Sequence, residues 1–268
     1  MTHRTPTPIA LTIAGSDPSG GAGLQADLKT FHQHGVYGMA VVSLITVQST
    51  RSVARVEVLA EDLVAQQLDH LLADIRPSAA KTGALGGRAI IEVVAARAKR
   101  FDFPLVVDPV MVSKHGQALL DPKAVDALIH ALFPHCFLLT PNGPEAEALL
   151  GTPVRTVAQA REAARRLVEL GPKHVLVKGG HLEGPDVVDV LCAHGVLHEL
   201  RGPRVASPHT HGTGCTGSAA ITARLAMGAS VEDAVAGAWE WLKEALRHPP
   251  DVGGGIGPVN HFAPVQRK

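Results

Sequence analysis

The sequence predicts an α/β fold in which a mostly parallel central sheet carries an antiparallel edge hairpin. Three features of the chain lead there. Short apolar runs rich in β-branched residues alternate with segments whose apolar residues recur about every 3.6 positions, as strands and crossover helices do. The strand-like runs hold little polarity, as strands covered on both faces require. Late in the chain, Val187 to Cys192 and Val196 to Leu200 are separated only by Ala193-His194-Gly195, too short for a crossover and suited to a hairpin.

Taken in order, Ile9 to Ala14 is the first strand-like run and Leu24 to His34 the first helical one, closed by Gly35. Met39 to Val47 reads as a strand, followed by helices over Asp62 to Ala73 and Ala89 to Arg100. Leu105 to Val107, Phe137 to Leu139 and Val175 to Val177 are further short strands, separated by helices over Ala124 to Leu132 and Val157 to Leu170. Gly217 to Met227 is the last predicted helix, ended by Gly228. No repeat, low-complexity tract or linker divides the 268 residues, so one domain over 1–268 is expected, with 1–8 and 263–268 as flexible tails.

Lys plus Arg and Asp plus Glu are both 25, a formal net charge of +0, so no global field favours nucleic acid or an anionic membrane. Any anion must be held locally. The N-terminus lacks the apolar centre of a signal peptide, and no run of about eighteen apolar residues is present, so a cytoplasmic protein is expected. Cys136, Cys192 and Cys215 are widely spaced with no CxxC pair, which fits reduced thiols better than a disulfide framework or structural zinc. His209 and His211 match no zinc spacing either.

The segment His211-Gly212-Thr213-Gly214-Cys215-Thr216-Gly217 is the strongest chemical signal. Its glycines leave backbone N–H groups uncovered where a helix begins, which makes an anion seat. Cys215 sits where a helix start lowers a thiol pKa, beside the place where negative charge would develop. The letters also satisfy G-x-G-x-x-G. A dinucleotide site, however, needs a strand leading into the first glycine, and here the lead-in is Ser207-Pro208-His209-Thr210-His211. Phosphoryl transfer is the better reading.

In open α/β sheets ligands bind beyond the carboxyl ends of the strands. Five polar segments follow strand-like runs: Gly15 to Gly23, Gln48 to Thr50, Asp108 to Met111, Thr140 to Glu145 and Lys178 to His181. Gln48 offers a donor and an acceptor from one plane, the complement of a 4-aminopyrimidine edge. Asp108, Asn142 and Glu145 could hold Mg²⁺, partly through water, while Asn142 and Glu145 are also spaced as a helix capping box. No G-x-x-x-x-G-K-[ST] occurs, so a Walker-type site is absent.

Together with Ala14-Gly15-Ser16-Asp17, Gly20 to Thr30, Thr140-Pro141-Asn142, Lys178 to His181, His211 to Thr216 and Gly255 to Val259, these segments make the chain resemble the hydroxymethylpyrimidine and phosphomethylpyrimidine kinases of thiamine biosynthesis, within the ribokinase superfamily. The resemblance runs from about Ile9 to Phe262. It implies a three-layer α-β-α ribokinase-like fold and a cytoplasmic homodimer. It also implies two uses of Mg-ATP: phosphorylation of 4-amino-5-hydroxymethyl-2-methylpyrimidine, then of its monophosphate.

By the same resemblance, Gly212, Thr213, Gly214, Cys215 and Lys178 carry catalysis, and Lys178, Asn142, Glu145 and Thr213 contact ATP. Gln48, Asp27, Gly15, Val110 and Met111 hold the pyrimidine, with Asp27 near its hydroxyl, and Lys114 to Ala118 form a flap. Cys215 stands where sugar kinases of the superfamily carry an aspartate base. A thiolate can take the alcohol proton in the first step. A neutral thiol does not repel the phosphate dianion that is the nucleophile in the second, whose second pKa is about 6. Ala84 departs from the family, where methionine is common. Pyridoxal kinase is the nearest alternative, and a catalytically silent binding module is the alternative from another class.

Overall fold

The computed structural model describes residues 7–266. Nine strands form one sheet in the order β3-β2-β1-β4-β5-β6-β7-β8-β9. They are β1 (Ile9–Ser16), β2 (Tyr37–Gln48), β3 (Val53–Val58), β4 (Ala79–Thr82), β5 (Leu105–Val107), β6 (Leu138–Leu139), β7 (His174–Val177), β8 (Asp186–Ala193) and β9 (Val196–Pro203). From β2 to β7 every neighbouring pair is parallel. β3 runs antiparallel to β2, and β8 and β9 form the expected antiparallel hairpin at the other edge.

Helices cover both faces, giving the three layers. One face is covered by α1 (Gly23–Gln33), α7 (Thr213–Ala226) and α8 (Val231–Arg247), packed through Phe31, Ala219, Ala220, Ala223, Val235 and Trp241. The other is covered by α2 (Glu61–Asp74), α3 (Arg88–Ala98), α4 (Val125–Ala127), α5 (Gly143–Leu150) and α6 (Val157–Val168), packed through residues such as Leu68, Ile91, Leu128, Leu149 and Leu167. The helix expected over Ala124 to Leu132 is irregular: 3₁₀ at Pro122–Ala124, α at Val125–Ala127 and π at Leu128–Leu132.

Two strands were not expected from the sequence, and two helices show there only as helix starts, at Asn142 and Ser230. β3 is a short edge strand without a buried residue, its Ala54 and Val58 exposed as well as Arg55 and Glu57. β4 is short and built from Ala79, Ala80, Lys81 and Thr82, residues of low β propensity apart from the threonine. α5 lies in a segment that reads equally as loop chemistry. α8 follows Ser230, whose hydroxyl accepts from the Asp233 amide as an N-cap.

α7 begins at Thr213, four residues before the predicted start at Gly217, because small residues let the helix continue back to Gly212. Of the expected tails, residues 1–6 and 267–268 lie outside the described residues. Ala263 is buried, and its carbonyl accepts from the Trp241 indole at 2.9 Å and from Gln33 at 2.8 Å.

Candidate active site

The carboxyl ends of β1, β4, β5, β6 and β7 open on one cavity of about 620 Å³, which the start of α7 closes from the side. Gly212 caps α7 in the left-handed region, with φ +76°. A Cβ there would collide with the Gly21 carbonyl, so only glycine fits. The Thr216 amide makes the first helical bond, to Gly212 O at 2.8 Å. The Thr213 amide reaches Thr210 O only at 3.4 Å, and the amides of Gly214 and Cys215 have no acceptor among the described residues. Free donors and the helix dipole therefore meet at the cavity wall. Thr213 lines the cavity, and its hydroxyl donates to the Thr210 carbonyl at 2.8 Å.

Lys178, just after β7, reaches this corner. Its ammonium lies 2.8 Å from Asp108 Oδ1 and 3.3 Å from where a Cβ on Gly214 would stand. Burial works against the Lys178 charge, but the Asp108 and Glu145 carboxylates outweigh it and raise the pKa. The other Asp108 oxygen accepts from Ser218 on α7 at 3.1 Å, and Thr140 approaches at 3.4 Å. Lys114, His181 and Arg204 also line the cavity. Burial lowers the His181 pKa, and Lys114, Lys178 and Arg204 lower it further, the mark of a locally positive wall in a neutral chain. Beyond it the cavity continues as an apolar slot lined by Val187, Val205, Val235, Leu242 and Leu246, most of it built by β8 and α8.

Asn142 and Glu145 line the cavity, and they form the capping box of α5: Asn142 Oδ1 accepts from the Glu145 amide at 2.9 Å, and Glu145 Oε2 from the Asn142 amide at 2.8 Å. Burial pushes Glu145 up to about 7, opposed by Lys178 and reinforced by Asp108. Two buried carboxyls, Glu145 and Asp108, at one wall of the cavity fit a hard cation. Among the described residues no three of His, Cys, Asp and Glu converge as a metal cage, so the fit is to a hydrated ion held through water.

Asp27 is a correction. It does not line the cavity; it is fully buried, accepting from Thr12 at 2.6 Å and from Lys81 at 2.8 Å. Lys81 lines the cavity instead, from the middle of β4. Burial opposes its charge, and Asp27, Cys215 and Asp108 nonetheless raise its pKa. Sequence reasoning missed it, although a lysine between Ala80 and Thr82 in an apolar context was a signal, since a buried lysine needs a partner.

Cys215 lies in the first turn of α7 and faces the cavity as expected. Its expected low pKa is corrected: burial pushes the thiol up to about 11, with Lys81 pulling down and Asp27 and Asp108 pushing up. Desolvation and the two carboxyls outweigh the pull of Lys81 and of the Gly23 amide.

Gly15 and Val110 line the cavity, and so does Ala84. A side chain on Gly15 would run into Leu44, another lining residue. Met111 is corrected: it packs into the core on the α2 to α6 face, while Val110 and Val112 line the cavity, as strand-like alternation dictates. Lys114 to Ala118 form a turn over the cavity mouth, closed by Gly116 N to Ser113 O at 3.0 Å and a Val112 to Ala118 bridge. Gln48 lines the cavity and touches His211, which pairs with Asp17. Asp17 and His211 carried no assigned role in the sequence. His209 Nδ1 accepts from the Gly257 amide at 3.0 Å.

The phosphomethylpyrimidine kinase family model matches residues 17–260. The hydroxymethylpyrimidine/phosphomethylpyrimidine kinase of Bacillus subtilis is 42% identical over 95% of this chain and 94% of its own. Among solved structures, a Staphylococcus aureus pyridoxal kinase in complex with ADP aligns with a TM-score of 0.89 at 35% identity, over 97% of this chain and 95% of that one. The phosphomethylpyrimidine kinase of Clostridium difficile 630 aligns with a TM-score of 0.79 at 41% identity, over 89% and 99%. The fold is ribokinase-like, and the chain belongs to the phosphomethylpyrimidine kinase family.

Proposed function

We propose that the chain is a single-domain kinase that uses ATP to phosphorylate 4-amino-5-hydroxymethyl-2-methylpyrimidine and then the resulting monophosphate, the two steps that supply the pyrimidine diphosphate of thiamine biosynthesis. One observation carries this reading: the uncovered amides at Gly214 and Cys215, the Lys178 ammonium and the Cys215 thiol converge on one cavity. The γ-phosphoryl group would rest on those amides, with the other ATP phosphates along the cationic wall and the adenine in the apolar slot. The pyrimidine would lie at the other end, between Gly15, Gln48 and Val110.

In the first step the hydroxymethyl oxygen forms a bond to γ-phosphorus as the bond to the β,γ-bridging oxygen breaks. The charge spread over the transferred group is met by amides and Lys178, which need no reorganisation. Mg²⁺, held through water by Asp108, Glu145 and Asn142, would neutralise the polyphosphate. The alcohol proton would pass to Cys215. Lys81, held charged by Asp27, favours the thiolate.

A thiol at about 11 is largely protonated at pH 7, and its thiolate fraction rises about tenfold per pH unit below that value. The first step is therefore expected to accelerate between pH 7 and 9, whereas the second, whose nucleophile is already ionised above about pH 6, stays flat. Cys215→Asp is expected to retain the first step and to lower the second at least about tenfold by like-charge repulsion. Rates of each step against pH check both.

A coupled assay that follows ADP and both products by mass tests the whole reading. Two ADP per pyrimidine, with monophosphate preceding diphosphate, is expected. Nucleotide binding without ADP release would leave a silent binding module. The small Ala84 at the cavity wall favours pyridoxal as a second substrate, and a much higher kcat/KM for pyridoxal would reverse the order of preference.

A cytoplasmic homodimer completes the proposal. The dimer is supported by Ile45 and Val47, exposed together on one face of β2 beside the β3 edge. Light scattering should give a dimer mass that Val47→Lys reduces to the monomer.

A further inference from the structure

The Gln48 carboxamide, on which the proposed recognition of the pyrimidine rests, is itself held by two buried residues that the reaction does not use. Asp17 and His211 are 2% and 3% exposed. The Asp17 carboxylate accepts from the Ser19 amide at 2.9 Å, the Ser19 hydroxyl at 2.8 Å and the Ala22 amide at 2.8 Å. Its Oδ2 also lies 2.8 Å from Nε2 of His211. The amide nitrogen of Gln48 faces that same ring nitrogen at 3.2 Å.

Donors and acceptors do not balance in that arrangement. A carboxylate ringed by donors is ionised and can only accept. Burial pushes the Asp17 pKa up, and the hydrogen bonds from His211 and Ser19 outweigh it and hold the pKa below the usual range. Nε2 of His211 therefore carries a hydrogen directed to Asp17. Nδ1 is sealed from water without a partner. Two N–H groups cannot pair, and the two halves of a carboxamide are isosteric, so the contact is favourable only with the Gln48 oxygen toward His211, where it shares the Nε2 hydrogen with Asp17. Its NH₂ then faces the cavity.

We propose that Asp17 and His211 are positioning residues that fix the Gln48 carboxamide with its NH₂ toward the cavity, so that the site selects heteroaromatic alcohols presenting a hydrogen-bond acceptor, such as a bare ring nitrogen, at that edge. The inference rests on the pyrimidine reading of the cavity. It narrows that reading: the ring nitrogen beside the amino-bearing carbon is what Gln48 recognises, and the amino group itself adds little there.

Two measurements on the whole protein test it. Ring ¹⁵N shifts of His211 should give a protonated Nε2, and a bare Nε2 would overturn the assignment. In kinetics, replacing that ring nitrogen by C–H should lower kcat/KM at least about tenfold through KM, whereas deleting the amino group should cost less than about threefold. His211→Phe frees the carboxamide to turn and should bring the two losses within about twofold of each other; His211→Gln, which retains an N–H near the place of Nε2, should restore the difference. A larger loss from the amino deletion than from the ring-nitrogen replacement in the unaltered enzyme overturns the proposal. Absence of any turnover of the parent pyrimidine alcohol would instead sink the proposed function, and the ¹⁵N result would still decide whether Nε2 carries the hydrogen.

Discussion

Lys178→Met is expected to lower kcat for both phosphorylation steps by about 10²–10³-fold, the equivalent of roughly 2.7–4 kcal/mol of transition-state stabilisation. The ammonium sits 2.8 Å from Asp108 and close to the start of α7, where the proposal puts the transferred phosphoryl group. A methionine keeps the length and apolar stem of the side chain and removes only the charge. Asp108 loses its cation but keeps Ser218 at 3.1 Å, so the fold is expected to survive. KM for the pyrimidine should change little, because the lysine lies at the phosphate end of the cavity. Steady-state kinetics beside a melting curve separate the two effects. A kcat within about threefold of the unaltered enzyme, in a folded variant, would remove Lys178 from the chemistry.

Asp27→Leu should destabilise the protein by about 3–5 kcal/mol, because Lys81 would be left charged and fully buried without its partner. Against a total stability of roughly 5–15 kcal/mol this is a large fraction, and at about 2–4 °C per kcal/mol it lowers Tm by about 10 °C. The double variant Asp27→Leu, Lys81→Met replaces the ion pair by apolar side chains of similar size and should recover most of that loss. It should not recover the first phosphorylation step, since Lys81, the cation that most lowers the Cys215 pKa, is then gone. Thermal melts of the two variants, with the first-step rate of the double one, read stability and function separately. Full recovery of the rate in the double variant would make the pair purely structural.

Most of the sheet was legible because its parallel strands are short apolar runs, and the segments at their ends gave the cavity wall. What the sequence concealed follows a pattern. β4 was hidden because alanine and lysine do not announce a strand, and with it went Lys81. α8 was hidden behind a helix start without a tracked period, and with it the apolar slot. Asp27 and Met111 carried the right chemistry on the wrong side of their elements, which only packing fixes. The helix start marks where Cys215 stands but not the direction of its pKa, because burial of the thiol next to Asp27 and Asp108 raises it. Asp17 and His211 looked like loop chemistry until the fold brought residues 17, 48 and 211 together.

The most direct test of the account is a crystal structure with a non-hydrolysable ATP analogue and the pyrimidine alcohol. The account predicts γ-phosphate oxygens within hydrogen-bonding distance of the Gly214 and Cys215 amides, the Lys178 ammonium beside them, and the substrate hydroxyl between the phosphorus and the Cys215 sulfur. A terminal phosphate bound elsewhere, with those amides left bare, would contradict it.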